Sequence, residues 1–477
     1  MRKKTKDALL VCVCVCVECN LGIAMGTMED LPASVLAEIL SRFTDTTDVA
    51  RCRVVSKSLN AASYEVRWLN LVCSMSRYLK SRSPETKHLV TPFKTVITNL
   101  VRRSGNLESV SLGVDRALGG VSFDDVEDEA DDLYLTDMNF IREWLPSVSD
   151  ALKSFSVSDF WVQSCWRRSE ALSLISSTCR NLVKLVVRNA WLSVDGLCLM
   201  PTLTYLTLEF VRLDDEDLSR INACFPNLTQ LNLIGVGGLK EPKINLLHLT
   251  TCQWSVSNAP LSLIICAPCL VDFDLRCIKP RLVVLEAPSL SNFSLSLENT
   301  DELRLKNCAN IQCLQLSVEC LSLGFLFSMF RHCSTVKRLT LDLVGRTEQV
   351  DVAEFGIDTL LVCFPNITYL NLGPRAWRVM ENSFSRGGLE DGIGMKMIKE
   401  LIAHLMVHEM GVTLAFISSV LDKSTELSDV SLLINRNVDS YVAGSLISAC
   451  RSKFPRVRWR WGIWEEGIKD TWFSDGI

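Results

Sequence analysis

Apolar residues recur along most of the chain in one short frame, in which two variable residues and then a single one separate three apolar positions. Two copies, CFPNLTQLNL from Cys224 and CFPNITYLNL from Cys363, are identical at eight of ten positions. Because successive residues of a strand face opposite sides, each copy predicts a short strand with one apolar side. Weaker or partial copies begin at Leu107, Leu152, Leu182, Met200, Ile244, Ala267, Ala287, Ile311, Val336 and Leu427.

Successive copies in the middle of the chain are separated by about 20–30 residues, which is the period of a stacked repeat. One copy cannot bury its apolar side, so the copies must stack into a solenoid whose strands line a concave face. The sequence therefore predicts a repeat array over residues 106–435. The copy at Ile244 is irregularly spaced, and the long gaps after Leu107 and before Leu427 indicate insertions or a missed copy.

The variable positions of the predicted strands point away from the core, onto the concave face. A solenoid of this kind uses that face to bind a partner. Our candidates for contact with a target protein are Arg188, Glu209, Asn232 and Asp342.

Residues 28–72 follow a different pattern, with apolar positions at helical spacing. A first helix is predicted after Pro32, and a polar break at residues 44–48 separates it from a second. Roughly 45 residues in short helices bury little surface alone, so the unit needs a partner or a neighbouring domain. The first helix places Val35, Leu36, Ile39, Leu40 and Phe43 on one side, and the second does so with Val49, Cys52, Val55 and Leu59.

This module resembles an F-box. The residues that carry the resemblance are the Leu-Pro pair at its start, the apolar doublet Ile39–Leu40, and Val54, Val55 and Lys57. Leu59 stands where the family usually has tryptophan. The resemblance implies docking onto a Skp-type adaptor and, through it, a cullin ubiquitin ligase. It implies an adaptor-facing or supporting surface made of Leu31, Pro32, Leu36, Ile39, Leu40, Val54 and Val55.

The order of F-box and then repeats is similar to the plant-type F-box/leucine-rich-repeat (F-box/LRR) proteins. The fold class expected from this resemblance is α/β, with a small N-terminal helical F-box module followed by an irregular leucine-rich-repeat solenoid. The function that it implies is target recognition in an SCF-type ubiquitin ligase, built from the Skp adaptor, a cullin and the F-box protein.

The first 27 residues are unlike the rest, since Val and Cys alternate from Val11 to Val17. A GT dinucleotide repeat encodes this alternation, so we interpret residues 1–27 as a gene-model extension, with the working start at Met28. A signal peptide is the main alternative, because basic residues precede an apolar run. That run is too short to span a bilayer as a helix.

Composition and pattern predict the structure of five further segments. Residues 73–105 read as a basic linker with one helix from Pro92 to Arg103, and residues 436–477 as a C-terminal cap. At Asp124–Asp132, seven of nine residues are acidic, which predicts an insertion loop. Residues 378–394 read as a second loop, followed by a helix over 395–410.

Composition narrows the function. Fifty basic and 55 acidic residues give a net charge of −5, so the overall basic footprint of a nucleic-acid-binding protein is missing. The 20 cysteines are scattered through apolar segments, which favours a reduced cytoplasmic or nuclear protein whose thiols act as small hydrophobes. We expect neither nucleic acid nor a membrane as a partner.

The patterns that carry catalysis are incomplete. Leu405, and not glutamate, follows His404 in a pair with His408, and Cys266 and Cys269 lack a second suitably spaced pair. We therefore expect no catalytic residue, metal or cofactor. A repeat scaffold that does not assemble a ligase remains an alternative to the ligase receptor, and so does a receptor gated by a small molecule.

Overall fold

The computed structural model describes most of the chain from Leu31 onward. The N-terminal tail and most of the acidic segment, residues 124–130, lie outside the described residues. The described ranges are 31–43, 45–104, 106–121, 131–256, 260–297, 302–318, 330, 333–343, 356–388, 395 and 397–473.

Three short helices form the N-terminal module, α1 (Ala33–Ser41), α2 (Thr46–Arg53) and α3 (Lys57–Ala62). The side chain of Asp45 accepts a hydrogen bond from the Thr47 amide at the start of α2, and Ser56 caps α3 in the same way. These caps supply acceptors for amides that have no partner within the helix. The buried residues between the helices form a core of their own, made of Leu36, Leu40, Cys52, Leu59, Ala62 and Val66.

A sixteen-stranded sheet makes up most of the remaining molecule. Neighbouring strands pair in parallel, except that the last strand pairs antiparallel with the one before it. Its strands, in spatial order, are β1 (Trp68–Cys73), β2 (Ser109–Val114), β3 (Ser154–Ser158), β5 (Lys184–Arg188), β7 (Tyr205–Glu209), β8 (Gln230–Ile234), β10 (Thr251–Val256), β12 (Asp272–Cys277), β14 (Asn292–Leu297), β16 (Cys313–Val318), β17 (Arg338–Leu343), β18 (Tyr369–Leu372), β19 (Glu400–Leu405), β20 (Asp429–Asn435), β21 (Arg458–Glu465) and β22 (Ile468–Trp472).

Helices and a second sheet supply further apolar side chains to the core of the long sheet. The second sheet is parallel, has four strands, and contributes Leu263, Ile265 and Leu285 to that core. Its strands are β9 (Lys243–Asn245), β11 (Ser262–Cys266), β13 (Leu282–Glu286) and β15 (Glu302–Lys306), while β4 (Arg168–Ser169) and β6 (Trp191–Leu192) form a separate pair. The helices are α4 (Met75–Arg82), α5 (Phe93–Arg103), α6 (Met138–Trp144), α7 (Trp161–Ser164), α8 (Ala171–Thr178), α9 (Asp215–Cys224), α10 (Ile357–Cys363), α11 (Pro374–Gly387), α12 (Met410–Lys423) and α13 (Ser440–Lys453).

The repeated sequence frame has a structural cause in the turn before each strand. The asparagine of each CFPN copy donates a hydrogen bond to a backbone carbonyl of the preceding repeat, from Asn227 to Pro201 and from Asn366 to Ser334, at 2.8 Å in both cases. Asn181 and Asn310 make the equivalent bond in their repeats. These side chains satisfy carbonyl groups between repeats that the strand ladder does not reach. The α/β solenoid expected from the sequence is confirmed.

The ends of the solenoid differ from the predicted boundaries. The sheet begins at Trp68, within the range predicted for the helical module, and residues 73–105 contain two helices, α4 and α5. At the other end, the last two strands lie in the range predicted for the cap. A solenoid leaves an edge at each end, and the antiparallel β22 covers the final parallel strand.

Two predicted segments of the C-terminal half are wrong. The range 378–394, predicted as a loop, lies partly in the fourteen-residue helix α11, which begins with Pro374 at its first turn. The range 395–410, predicted as a helix, contains β19. This strand is the copy missed before Leu427, whereas Ile244 lies in the second sheet and is not a strand of the long one.

Candidate functional site

The helical module has an inner and an outer set of predicted adaptor residues. Leu36 and Leu40 are fully buried in its core, and Leu31 packs against that core while partly exposed. Leu36 and Leu40 therefore support the surface and are not themselves free for contact. Pro32 is exposed, and its carbonyl accepts hydrogen bonds from the amides of Val35 and Leu36.

The outer set carries exposed apolar side chains. Val54 is 87% exposed and Val55 is 55% exposed, since α2 ends at Arg53 and both valines lie in the turn before α3. The sequence predicts Val55 on the buried side of a longer second helix, and this placement is wrong because the helix ends at Arg53. Val35 is also exposed, and Ile39 is half-buried.

A cation next to these valines was missed by the sequence reasoning. The guanidinium of Arg53 lies 5.0 Å from the ring centroid of the exposed Tyr64, and its Nε donates to the Ser63 hydroxyl at 2.7 Å. A guanidinium that is already held against an aromatic face loses less side-chain entropy when a partner binds. Arg53 and Tyr64 thus add a fixed guanidinium–aromatic contact beside the valines. The two residues are separated in sequence, and no sequence pattern predicts their contact.

The module is attached to the solenoid by side-chain hydrogen bonds at β1. The indole N–H of Trp68 donates to the carbonyl of Ser41 at 2.9 Å, and the backbone N–H of Asn70 donates to the Thr46 side-chain hydroxyl at 2.8 Å. Trp68 also packs against the module core, whereas the next residue, Leu69, already belongs to the core of the solenoid. The two cores are therefore adjacent but distinct.

The side chains that alternate with the core residues of the long sheet form what we call the open face. Parallel register aligns them in rows that cross the strands. The central row from β7 to β18 consists of Thr207, Asn232, Gln253, Asp274, Ser294, Gln315, Thr340 and Asn371. Neutral hydrogen-bonding groups dominate this row, which suits the recognition of polar groups without a strong charge.

The four predicted target residues are all on the open face, but they differ in availability. Arg188 and Glu209 face each other across β5 and β7 and form an ion pair at the ends of these strands. Asn232 is buried, and its side-chain amide donates to the hydroxyls of Tyr205 at 3.3 Å and Thr207 at 3.0 Å. Asn232 is thus placed to orient its neighbours.

Asp342 lies farther along the same face in a crowded setting. Burial raises the pKa of this carboxyl, and the nearby His404 opposes the shift. A Cβ atom on Gly373 would overlap the Asp342 carboxylate, so a larger residue there would require the Asp342 side chain to move. His404 itself contacts the Leu372 carbonyl through Nδ1 at 3.2 Å and the Asp470 carboxylate through Nε2 at 3.3 Å.

Two cavities open on this face. The first, of about 1210 Å³, lies over the carboxyl ends of β2 to β8, and the second, of about 690 Å³, lies over the middle of the sheet. In the second, the Arg338 guanidinium stacks on Tyr369 at 3.7 Å from the ring centroid. Neither cavity shows the pairing of nucleophile and base that acyl or phosphoryl transfer requires.

Within the described ranges, His, Cys, Asp and Glu side chains do not gather in groups of three or more that could hold a metal ion. The described cysteines are free, and burial raises the pKa of Cys252, Cys179 and Cys277 to about 12. Thiols with such a pKa are poor nucleophiles at neutral pH. In the same ranges, no helix has both the length and the apolar character to cross a membrane.

No protein-family model matches the sequence. A protein of Arabidopsis thaliana named F-box/LRR-repeat protein At4g29420 is 48% identical over 453 residues, which cover 93% of this chain and 100% of the relative. This chain belongs to the F-box/LRR family. The resemblance drawn from the sequence is thereby confirmed, and it extends from the F-box across the solenoid.

Proposed function

We propose that this F-box/LRR protein is the target-recognition subunit of an SCF-type ubiquitin ligase. In this proposal the F-box docks on a Skp-type adaptor, which joins it to a cullin, and the open face binds a target protein. The observation that carries it is the pair of exposed valines, Val54 and Val55, on a module that has its own core and is hydrogen-bonded to the first strand of the solenoid.

The physical reason is the cost of leaving apolar surface in water. Val54, Val55 and Val35 gain free energy only if a partner covers them, at about 25 cal/mol per Å² of apolar area. The core of the module is formed by other residues, and Val54 and Val55 are not part of it. A preformed apolar patch of this kind suits a stable protein partner.

In this role the chain contributes no chemical step. Holding a target lysine close to a charged ubiquitin carrier raises its effective concentration, and this alone accelerates the transfer. The distinct cores of module and solenoid suit such a bridge, because the adaptor side and the target side are separate surfaces. The same proposal sets the chain in the cytoplasm or the nucleus, where its free thiols would remain reduced.

Co-purification of the full chain with a Skp-type adaptor tests the proposal. We expect the wild type to bind and a Val54→Asp/Val55→Asp variant to bind at least about thirtyfold more weakly, since two apolar contacts are replaced by buried charges. The control is Val362→Asp, which changes a valine that is 81% exposed on α10. Circular dichroism should show all three proteins folded.

Two results would count against the ligase. Equal binding of the adaptor by the double variant would show that the valine patch is not the docking surface. No binding by the folded wild type would favour the alternative, an LRR protein-binding scaffold that does not assemble a ligase.

A further inference from the structure

The backbone takes an unusual conformation at the rim of the first cavity. Directly after β5, β7 and β8, the chain turns through the left-handed region, with φ of 57° at Asn189, 50° at Phe210 and 61° at Gly235. Asparagine and glycine adopt this region readily, whereas a bulky residue there is an outlier. Three successive repeats thus share one turn, and only the middle repeat fills it with an aromatic residue.

The ring of Phe210 is not buried in compensation. The residue is 55% exposed, and a Cβ atom on Gly235 would lie 2.5 Å from its ring. Glycine at position 235 therefore permits the left-handed turn of its own repeat and also leaves room for the Phe210 ring. Strained residues persist where the surrounding structure enforces them, and they concentrate at functional sites.

The cavity beside Phe210 has a floor of small residues. Ser111 and Gly113 of β2, with Ser156 and Ser158 of β3, line this floor. Their short side chains leave the space open, and Trp161, which is 42% exposed, lines the same cavity as Phe210. A space with aromatic walls and a small-residue floor suits a planar apolar group, because rings gain from stacked or edge-on contact beyond the area they bury.

Most charged groups that line this space already have partners, although Arg116 at its edge is exposed. Asp115 accepts a hydrogen bond from the Ala117 amide. Arg188 and Glu209 line the cavity but neutralise each other as an ion pair. Arg212 at the rim stacks on Trp191, with its guanidinium 4.8 Å from the ring centroid. Asp159 is buried and accepts hydrogen bonds from the backbone of Leu135 and Thr136, so it does not face the occupant.

The relation between the two cavities indicates a polypeptide occupant. The first includes Glu209 at the end of β7, and the second includes Tyr205 at the start of the same strand. The two residues are separated by about 13 Å of extended chain, which about four residues of a peptide can span. Amides such as Gln230, Gln253 and Gln315 line the second cavity and can pair with the N–H and C=O groups of a main chain.

We propose that the target is held by an extended segment whose aromatic side chain inserts between Trp161 and Phe210, while the following main chain crosses the amide-lined cavity. This inference rests on the proposed function, since it assigns the target side of the receptor. It makes Phe210 a specificity-determining residue, of the kind in which aromatic anchors dominate binding.

The test uses the left-handed turn itself. Phe210→Gly removes the ring and places in the turn the residue that suits it, so the thermal midpoint should stay at or above that of the wild type. Lys279→Gly is the matched control, because Lys279 is exposed, has φ of 46°, and lies outside both cavities. Both variants therefore undergo the same backbone relaxation, and only one loses the aromatic wall.

The probe is a phage-displayed library of random twelve-residue peptides, panned against the full-length wild-type protein. We expect the enriched peptides to share an aromatic residue at a fixed position. Synthetic copies should bind Phe210→Gly at least about tenfold more weakly than wild type and bind Lys279→Gly within about twofold.

Several results would overturn the inference. These are enrichment of peptides without a shared aromatic residue, absence of any enrichment, equal binding by Phe210→Gly, or an equal loss in Lys279→Gly. Adaptor co-purification with the same proteins separates this outcome from the proposed function. Loss of peptide binding with adaptor binding intact confines the failure to the cavity, whereas a wild type that binds peptides but no adaptor contradicts the ligase role alone.

Discussion

The two adjacent cores predict that the F-box module can be unfolded without the solenoid. Leu40→Ala deletes a fully buried side chain from a core that contains six buried residues, Leu36 and Leu40 among them. Large-to-small substitutions of this kind cost about 2–5 kcal/mol. A module of roughly 36 residues has about 2–5 kcal/mol of stability in total, at 0.05–0.15 kcal/mol per residue. The substitution should therefore remove most of the stability of the module.

Hydrogen exchange followed by mass spectrometry measures this effect separately for each part of the chain. Peptides from α1 to α3 should lose their protection in Leu40→Ala, while peptides from β7 to β10 keep the wild-type exchange rates. A matched substitution in the solenoid, Leu208→Ala, should reverse the pattern locally. If Leu40→Ala instead deprotects the strands of the solenoid to the same extent, the two cores unfold as one unit and our separation of them is wrong.

Two further predictions concern ionisable groups. Burial raises the pKa of Asp159 to about 7, so its neutral form stabilises the folded chain; this contribution is fully present below about pH 4 and is lost as the pH rises through 7. Asparagine stays neutral, so the free energy of unfolding should fall less in Asp159→Asn than in the wild type between pH 5 and pH 8, by a difference of roughly 3 kcal/mol. Denaturant titrations at the two pH values measure this difference, and equal losses would contradict the buried carboxyl. Under native conditions at pH 8, N-ethylmaleimide should modify the exposed Cys269 within minutes and leave Cys252 unmodified, because burial raises the pKa of Cys252 to about 12. Mass spectrometry would detect the modified cysteines, and rapid modification of Cys252 would refute its burial.

The sequence was sufficient for the parts of the fold that repeat. The frame LTQLNL ends in apolar residues that alternate with a polar one, as in a strand, and its recurrence requires stacking, so the strand at Gln230 follows from the pattern. The strand at Glu400–Leu405 was missed because ELIAHL has apolar residues at spacings that a helix also accommodates. Helix α11 was missed because its sequence is rich in polar and charged residues.

The candidate sites show where sequence reasoning stops. The exposed Val54 and the buried Leu40 have the same apolar character, and only the end of α2 at Arg53 places one outside and the other inside. The left-handed turn at Phe210 gives one sequence signal, because aligned repeats place Asn189 and Gly235 at the equivalent position. The cavity beside it depends on side-chain sizes in β2 and β3, and those strands are distant in sequence from β7.

The central claim is that the F-box module, and not the solenoid, faces the adaptor. Hydrogen exchange of the full chain with and without a purified Skp-type adaptor tests it most directly. We predict that the adaptor slows exchange in the segment that follows α2, around Val54 and Val55, and near Tyr64, and leaves the strands of the open face unchanged. Protection of the open face, or no change at the module although a complex forms, would contradict the account.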